Sequence, residues 1–335
     1  MVIKVKVKNS SYNVIIEKGV INCLNEHISS NGKTLVLTDS GVPQIYAKTV
    51  ADNFACPFIY VLPQGEQSKN VNNYQAILSF MLENGFTRKD RLIAVGGGVV
   101  GDLGGFVAST YMRGIDFYNV PTTFLAQVDS SIGGKVAIDF GGVKNSVGAF
   151  YQPKGVFIDT VTLETLPDRI LYSGLVESIK MAATSDAKLF EYIENCASVR
   201  ENLEHIIYNS LLIKKDVVEK DEKEHDLRRV LNFGHTIGHA VESYFNGKLY
   251  HGECVGIGML CMSSDTVKER IYKLLTKFGL PAEVQAEPRA LLDIAMHDKK
   301  SIGDLVVGVY VDKIGYFTLT NLDANEISRI VERFL

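Results

Sequence analysis

The pattern of apolar and polar positions divides the chain into two parts of different character. Residues 1–8 alternate apolar side chains with lysine, which is the two-residue period of a strand. Helical spacing of apolar residues is found at about 42–54 and 71–84. Uninterrupted apolar runs predict buried strands at 34–38, 57–61 and 91–95. Strands that alternate with helices of this length predict βαβ units and a mostly parallel sheet.

Beyond residue 166 the apolar residues recur every three or four positions, which is typical of amphipathic helices. The predicted helices span 170–183, 187–196, 202–218 and 232–245. A strand pair at 305–311 and 315–319 and a helix from about 324 close the chain. We therefore predict an α/β N-terminal domain with a mostly parallel sheet, a variant of the Rossmann fold, over 1–160. A mainly α-helical C-terminal domain is predicted over 161–335.

Composition and charge exclude several classes of partner. The 335 residues include 35 basic and 39 acidic side chains, for a net charge of −4, whereas nucleic-acid-binding domains are usually basic. No stretch approaches the ~18 uncharged apolar residues of a membrane helix, and the N-terminal pattern differs from that of a signal peptide. The five cysteines are scattered, with no CxxC pair, as in reduced intracellular proteins. We expect a cytoplasmic protein that binds neither nucleic acid nor membranes.

A glycine loop follows the apolar run at 91–95. Gly96, Gly98 and Gly101 satisfy the G-x-G-x-x-G pattern, in which backbone N–H groups approach a pyrophosphate at a helix N-terminus. The same pattern also occurs in tight strand–helix turns without a ligand. No acidic residue ends a strand about 20 positions later, where a Rossmann site holds the ribose, but Asp39 ends an earlier strand. The sequence therefore predicts a dinucleotide site in a variant topology.

Three histidines and a glutamate form a second candidate site. His235 and His239 lie four residues apart on one face of a predicted helix, and His251 follows after a short polar break. Glu177 and Lys180 are three residues apart on an earlier helix. Two or three histidines plus a carboxylate, with one position left open, are typical of catalytic zinc. A surface helix with solvated histidines is the alternative that the spacing leaves open.

Cationic and amide side chains form a third candidate set. Lys135 and Asn145 lie in glycine-rich segments, 129–135 and 142–145, that are predicted to be turns in a region poor in charge. Further cationic residues are Lys180, Lys214, Arg228, Lys299 and Lys300. Most lysines are solvated surface residues. A substrate with phosphate and carboxylate groups, however, needs several such donors to converge.

Together these motifs resemble the 3-dehydroquinate synthase family of sugar phosphate cyclases. The resemblance covers nearly the whole chain, and the matching segments run in family order. They are PQGEQSK (63–69), GGGVVGD (96–102), YMRG (111–114), PTT (121–123), VDSSIGGK (128–135), KN (144–145), GAFYQP (148–153), GLVESIK (174–180), LNFGHTIGHA (231–240), HGE (251–253) and DKK (298–300). Val136, Asp139 and the stretch 140–143 depart from the common family pattern.

The resemblance implies an activity and its cofactors. Members of this family convert 3-deoxy-D-arabino-heptulosonate 7-phosphate into 3-dehydroquinate and phosphate, a step of the shikimate pathway to chorismate and the aromatic amino acids. The reaction is a carbon–oxygen lyase reaction without net oxidation, and it uses NAD and a divalent metal. Zinc is the expected metal, and cobalt suits the same ligands. A phosphorylated sugar acid is therefore the expected substrate.

The resemblance also assigns residues to the cofactors. The positions that correspond to the NAD site are Asp39, Glu66, Lys69, Gly97, Gly98, Val99, Asp102, Thr122, Thr123, Lys144 and Thr165. The metal would be bound by Glu177, His235 and His251.

A further set corresponds to the family's substrate-binding and catalytic residues: Asp129, Lys135, Asn145, Lys180, Lys214, Arg228, Asn232, His239 and one lysine of the pair Lys299 and Lys300. Arg113 resembles a family arginine that reaches the phosphate site of a neighbouring subunit. This similarity implies a homodimer.

Three other functions compete with this interpretation. A polyol dehydrogenase couples NAD to a metal on a similar plan, but its substrates lack the phosphate that the cationic set would bind. A related cyclase acting on glucose 6-phosphate or sedoheptulose 7-phosphate has no carboxylate to bind. A scaffold protein that retains the fold needs neither the metal ligands nor the glycine loop.

Overall fold

The computed structural model describes residues 1–8, 10–224, 226–297 and 305–334. The chain forms two compact units, 1–166 and 167–335. None of the helices in the described ranges is long and apolar enough to cross a membrane.

The first unit is built on a seven-stranded sheet. Its strands are β1 (Val2–Val7), β2 (Ser10–Ile16), β3 (Lys33–Asp39), β4 (Cys56–Leu62), β5 (Arg91–Gly96), β6 (Asp116–Pro121) and β9 (Gly155–Ile158). They are arranged in the order β1-β2-β9-β6-β5-β3-β4. Every neighbouring pair is parallel except β1 and β2. The predicted mostly parallel α/β fold is therefore confirmed.

Helices cover both faces of this sheet. Helices α2 (Val71–Glu83) and α3 (Gly98–Thr110) pack on one face, where Leu37 and Leu92 lie in the same apolar cluster as Ile77 and Leu103. Helix α1 (Gln44–Ala51) packs on the other face with Val36. Because β3 and β5 are covered on both sides, their central residues form continuous apolar runs instead of alternating with polar residues.

A β-hairpin replaces the turn that was predicted around residues 142–145. It consists of β7 (Lys135–Phe140) and β8 (Val143–Phe150). The turn itself is confined to Gly141 and Gly142, whose φ angles of 62° and 81° favour glycine. Asn145 therefore lies within β8. The prediction failed because the polar residues of this strand, exposed on both faces, have no alternating pattern.

The second unit is mainly helical, as predicted. Its helices are α4 (Asp168–Ser185), α5 (Ala187–Asn195), α6 (Leu203–Lys220), α7 (His235–Phe245), α8 (His251–Cys261), α9 (Asp265–Lys277), α10 (Pro288–His297) and α11 (Ala324–Phe334). An antiparallel hairpin of β10 (Val306–Lys313) and β11 (Tyr316–Leu322) confirms the predicted strand pair.

Helix α7 begins at His235, three residues after the predicted start. Gly234 has a φ of 78°, a left-handed conformation that separates the helix from a 3-10 turn over Leu227–Asn232. Asn232 therefore lies in the preceding turn and not in the helix that carries the histidines.

Candidate functional site

The predicted dinucleotide residues of the first unit meet at the carboxyl edge of its sheet. Asp39 ends β3, the glycine loop follows β5, and Thr122 follows β6. The Thr122 N–H donates to Gly96 O at 3.0 Å, which joins two of these strand ends. The chain order reverses between the neighbours β3 and β5, and ligands of open α/β sheets bind outside such a reversal.

In the glycine loop, Gly98 leaves room for a ligand, whereas Gly97 is packed against the protein itself. A Cβ on Gly97 would lie 3.1 Å from Thr123 Cγ2, so this glycine is closely packed against the protein itself. A Cβ on Gly98 would meet only Ser130, no closer than 3.4 Å. Gly98 opens α3, where free backbone N–H groups favour an anion. Val99 follows it in the first turn and is half-buried.

Lys69 connects two of the other predicted NAD residues. Its Nζ lies 3.0 Å from Glu66 Oε1 and 3.1 Å from Asp102 Oδ2, and its side chain is only 4% exposed. Burial lowers the pKa of Lys69, but the charges of Asp102 and Glu66 outweigh it and leave the pKa raised. Lys69 therefore stays charged and keeps both carboxylates in place.

The remaining predicted NAD residues are half-buried or exposed. Asp39 is half-buried, which raises the pKa of its carboxyl, and its Oδ1 accepts a hydrogen bond from the Gly41 N–H at 2.8 Å. Thr165 is exposed, with Oγ1 3.1 Å from Tyr46 OH. Lys144 is exposed on β8.

The predicted substrate residues of the first unit surround the hairpin. Lys135 is the exposed first residue of β7, and Asp129 lies in the π-helical turn Ala126–Ser130. Asn145 has a φ of 54°, and its N–H donates to Asp139 Oδ1 at 2.8 Å. Arg113 is exposed in the 3-10 turn Tyr111–Arg113, with a φ of 71°. Asn145 and Arg113 are thus both held in the left-handed region, which non-glycine residues seldom adopt.

The predicted metal ligands of the second unit form one cluster. The ligand atoms of His235, His239 and His251 lie within 4.8 Å of one another. Glu177 Oε1 lies 3.5 Å from His251 Nε2 and 4.0 Å from His235 Nε2. Helices α4, α7 and α8 thus bring one carboxylate and three imidazoles together, which is the donor set of a catalytic zinc site.

Glu177 is fully buried, and neither of its oxygens accepts a hydrogen bond from the described residues. Lys180 Nζ lies 2.5 Å from Oε2 as an ion pair. Burial alone raises the pKa of Glu177, but the charge of Lys180 brings it well below its usual range. Lys180 offsets part of this charge, and the two oxygens, which accept no hydrogen bond from the described residues, remain available to a divalent cation.

The pKa values of the two histidines beside Glu177 are shifted in opposite directions. Burial, followed by the charge of Lys180, lowers the pKa of His235 well below its usual range, so its imidazole is neutral. Burial also lowers the pKa of His251, but the carboxylates of Glu177 and Glu242 beside its ring raise it to about 10. His235 Nδ1 lies 3.2 Å from Phe233 O, which can only accept, so Nε2 is the free nitrogen that faces Glu177.

Close backbone contacts fix the register of the three helices. A Cβ on Gly252 of α8 would lie 1.8 Å from Ser173 O of α4. A Cβ on Gly258 of α8 would lie 1.9 Å from Gly234 O, at the start of α7, and one on Gly238 would lie 3.0 Å from Cys254 O. Because no side chain separates these backbones, the positions of the metal ligands along the helices are set by packing.

The first turn of α8 is held by residues that the sequence analysis did not single out. Arg169 Nε lies 2.7 Å from Glu253 Oε1, and Glu253 Oε2 accepts the Tyr250 N–H at 2.8 Å. Glu242 accepts from His251. Glu242 lies seven residues after His235, and this spacing could have indicated that both side chains lie on the same side of the helix. Nothing in the sequence marks Arg169.

The other predicted residues of this unit are mostly buried cations. Lys180 and Lys214 are 1% and 4% exposed, and Arg228, 3% exposed, donates from Nη1 to Glu222 O at 2.7 Å. Asn232 donates from Nδ2 to Glu224 Oε1 at 3.0 Å. Lys299 and Lys300 lie outside the described residues. Lys180 is paired with Glu177, and buried cations of this kind are suited to hold anionic groups.

Comparison with known proteins agrees with these features. Two family models, 3-dehydroquinate synthase N-terminal and C-terminal, match residues 59–173 and 174–301. A 3-dehydroquinate synthase of Clostridium acetobutylicum is 40% identical over 345 aligned positions, which cover 97% of each chain.

Two solved structures are also similar. A 2-deoxy-scyllo-inosose synthase complexed with carbaglucose-6-phosphate, NAD+ and Co2+ has a TM-score of 0.92 and 25% identity, over all of both chains. A 2-epi-5-epi-valiolone synthase of Streptomyces hygroscopicus with NAD+ and Zn2+ bound has a TM-score of 0.88 and 25% identity, over 98% of each chain. With the two family models spanning most of its length, this chain belongs to the 3-dehydroquinate synthase family.

Proposed function

We propose that this chain converts 3-deoxy-D-arabino-heptulosonate 7-phosphate into 3-dehydroquinate and phosphate, as the names of its relatives suggest. The observation that carries the proposal is the buried Glu177 carboxylate, which accepts no hydrogen bond from the described residues and lies near the ring nitrogens of His235 and His251. A dehydrogenase would share this cluster. The buried cations Lys214 and Arg228, however, suit a substrate with anionic groups.

The cofactors would supply the chemistry that side chains lack. When bound, the metal polarises a substrate hydroxyl as a Lewis acid, and NAD takes a hydride and returns it within the same turnover. We expect zinc, although the ligand set also suits cobalt.

In the first unit, the residues at the sheet edge would bind NAD. Gly98 leaves space for the pyrophosphate at the start of α3, and Asp39 offers a carboxylate to a ribose. Lys69 would keep Glu66 and Asp102 oriented towards the cofactor. Val99, Thr122, Thr123, Lys144 and Thr165 complete the proposed set.

In the second unit, Glu177, His235 and His251 would bind the metal. His239, which is exposed and has its ring centroid 5.1 Å from that of His235, is the candidate for moving a proton. Lys180, Lys214, Arg228 and Asn232 would bind the carboxylate and phosphate. In the first unit the same task would fall to Lys135 and Asn145, while Asp129 would orient hydroxyl groups. We further propose a cytoplasmic homodimer in which Arg113 contributes to the partner's phosphate site.

The decisive experiment measures phosphate release from 3-deoxy-D-arabino-heptulosonate 7-phosphate while NADH absorbance is followed. Phosphate release that needs NAD and stops with a chelator, without NADH accumulating, is expected. Steady accumulation of NADH would identify a dehydrogenase instead. No phosphate release from the enzyme loaded with metal and NAD would redirect the assignment to other sugar phosphates.

Two variants separate the proposed roles. His235→Ala should lose metal and activity together, whereas His205→Ala, at an exposed histidine of α6, should keep both. Lys135→Ala should weaken substrate binding or elimination and leave the metal content unchanged. Normal metal content in His235→Ala would contradict its ligand role.

A further inference from the structure

The two ring nitrogens of His251 face two different carboxylates. Nδ1 lies 2.9 Å from Glu242 Oε2, and Nε2 lies 3.5 Å from Glu177 Oε1. One side of the imidazole therefore faces the cluster of metal donors, and the other side contacts a residue that has no place among them.

Glu242 is well placed to control this ring. It lies on α7, seven residues after His235 and three after His239, so all three project from the same side of the helix. Its side chain is 19% exposed, so the contact with His251 is largely shielded from water. Hydrogen bonds to an ionised acceptor are stronger in such surroundings.

The equivalent nitrogen of His235 has a weaker acceptor. There Nδ1 lies 3.2 Å from the neutral backbone oxygen of Phe233. Both histidines thus have Nδ1 engaged and Nε2 directed to Glu177. Only at His251 is the acceptor a charged side chain, which fixes the tautomer and also makes Nε2 a stronger ligand.

We propose that Glu242 is a positioning residue for the metal site: it accepts the Nδ1–H of His251 and so directs the Nε2 lone pair to the ion. The inference rests on the proposed metal site. It adds a residue that touches neither substrate nor metal.

The test measures metal binding directly, without turnover. Metal-free protein is titrated with Co2+ while the visible absorption bands of the ion are recorded, and Zn2+ affinity is measured by competition with a coloured chelator. Glu242→Ala should bind both metals about 10- to 100-fold more weakly. Its Co2+ bands should also change, because the imidazole is free to rotate. Glu242→Gln should lose less affinity, since the amide oxygen still accepts the hydrogen bond.

The chain offers a matched control. Glu194 on α5 accepts two hydrogen bonds from Arg270, at 3.0 and 2.6 Å, and is 28% exposed. Glu194→Ala removes a comparable interaction from the same unit and should leave both the metal affinity and the Co2+ bands as in the wild type. Circular dichroism establishes that each variant is folded.

Three outcomes overturn the inference. Wild-type affinity and bands in folded Glu242→Ala would show that Glu242 does not position His251. If the alanine variant does not fold, Glu242→Met takes its place, since it keeps the side-chain length and lacks the accepting oxygen, and wild-type affinity and bands in that variant would overturn the inference. Failure of wild-type protein to bind Co2+ or Zn2+ would instead remove the metal site itself, and the inference with it.

Discussion

Arg169 and Glu253 form a two-point ion pair, in which Nε lies 2.7 Å from Oε1 and Nη2 lies 2.9 Å from Oε2. The pair joins the first turn of α4 to the first turn of α8. Glu253 is 1% exposed and also accepts the N–H of Tyr250, the residue that precedes the helix. His251 follows directly, so this ion pair anchors the backbone of a proposed metal ligand.

Arg169→Ala should therefore weaken both folding and metal binding. It leaves the buried Glu253 carboxylate with only the Tyr250 N–H, which costs about 1–3 kcal/mol of unfolding free energy. Urea denaturation measures this loss, and Zn2+ competition measures the affinity. Arg270→Ala breaks a similar two-point pair away from the cluster and should affect stability alone. Equal losses of metal affinity in both variants would mean that the effect on the metal is general destabilisation.

A second prediction concerns the close contact between Gly252 and Ser173 O. Gly252→Ala places a methyl group 1.8 Å from a backbone oxygen, so α4 and α8 must move apart. We expect a loss of about 1–3 kcal/mol or more of unfolding free energy, together with a loss of metal affinity. Gly256→Ala on the same helix meets only the tip of Leu275, at 2.9 Å, which can rotate away. That variant should fold and bind metal normally, and a severe defect in it would argue against the importance of the backbone contact.

Gly98→Ala tests the proposed NAD site without disturbing the fold. The new methyl would make an ordinary contact with Ser130 Oγ at 3.4 Å, so the thermal transition should not fall. If the pyrophosphate occupies the loop, calorimetric NAD affinity should drop by about 1–3 kcal/mol through steric conflict. Gly104→Ala on the same helix meets Leu37 and Leu92 at 3.1 Å in the core. It should lower the thermal transition and keep the NAD affinity, and unchanged binding in Gly98→Ala would place the cofactor elsewhere.

The carboxylate of Asp90 should stabilise the folded protein at neutral pH and lose this effect in acid. Burial alone raises its pKa, but hydrogen bonds from the Thr87 N–H and the Lys33 N–H, each at 2.6 Å, hold the pKa below its usual range. A lowered folded-state pKa stabilises the protein above the unfolded value of about 3.9, and this stabilisation is lost as pH falls through the folded value. Asp90→Asn should cost about 1.5–3 kcal/mol at pH 7. The cost should fall as the pH is lowered below the unfolded value. Asp52→Asn at an exposed position serves as the control, and a pH-independent cost for Asp90→Asn would contradict the charge argument.

Local sequence patterns predicted the strands and helices in which buried residues recur at a regular spacing or in a continuous run. The apolar runs at 34–38 and 91–95 match the central strands β3 and β5, and the family resemblance is confirmed by the comparisons. The sequence also predicted that Asp39 could take the place of the missing acidic residue, and this assignment stays a prediction. β3 and β5 are neighbours in the sheet, although 57 positions separate their last residues, Asp39 and Gly96.

Features set by contacts distant in sequence could not be predicted in this way. The ion pair of Arg169 with Glu253 joins residues 84 positions apart; Arg169 belongs to no recognisable pattern, and Glu253 is marked only as part of the family segment 251–253. Glycines within helices suggest weak helix formation on propensity alone. Gly238, Gly252 and Gly258 are tolerated because they allow close helix contact, which only the folded structure reveals.

These glycine contacts bear on how the chemistry of such a protein can diverge. At Gly252 and Gly258 the neighbouring backbone oxygens lie where any side chain would begin, so these sites admit essentially one amino acid. The proposed metal ligands His235 and His251, by contrast, take no part in these glycine contacts. A descendant of this chain could therefore exchange its donors, and with them its preferred ion, while inheriting the helix frame unchanged.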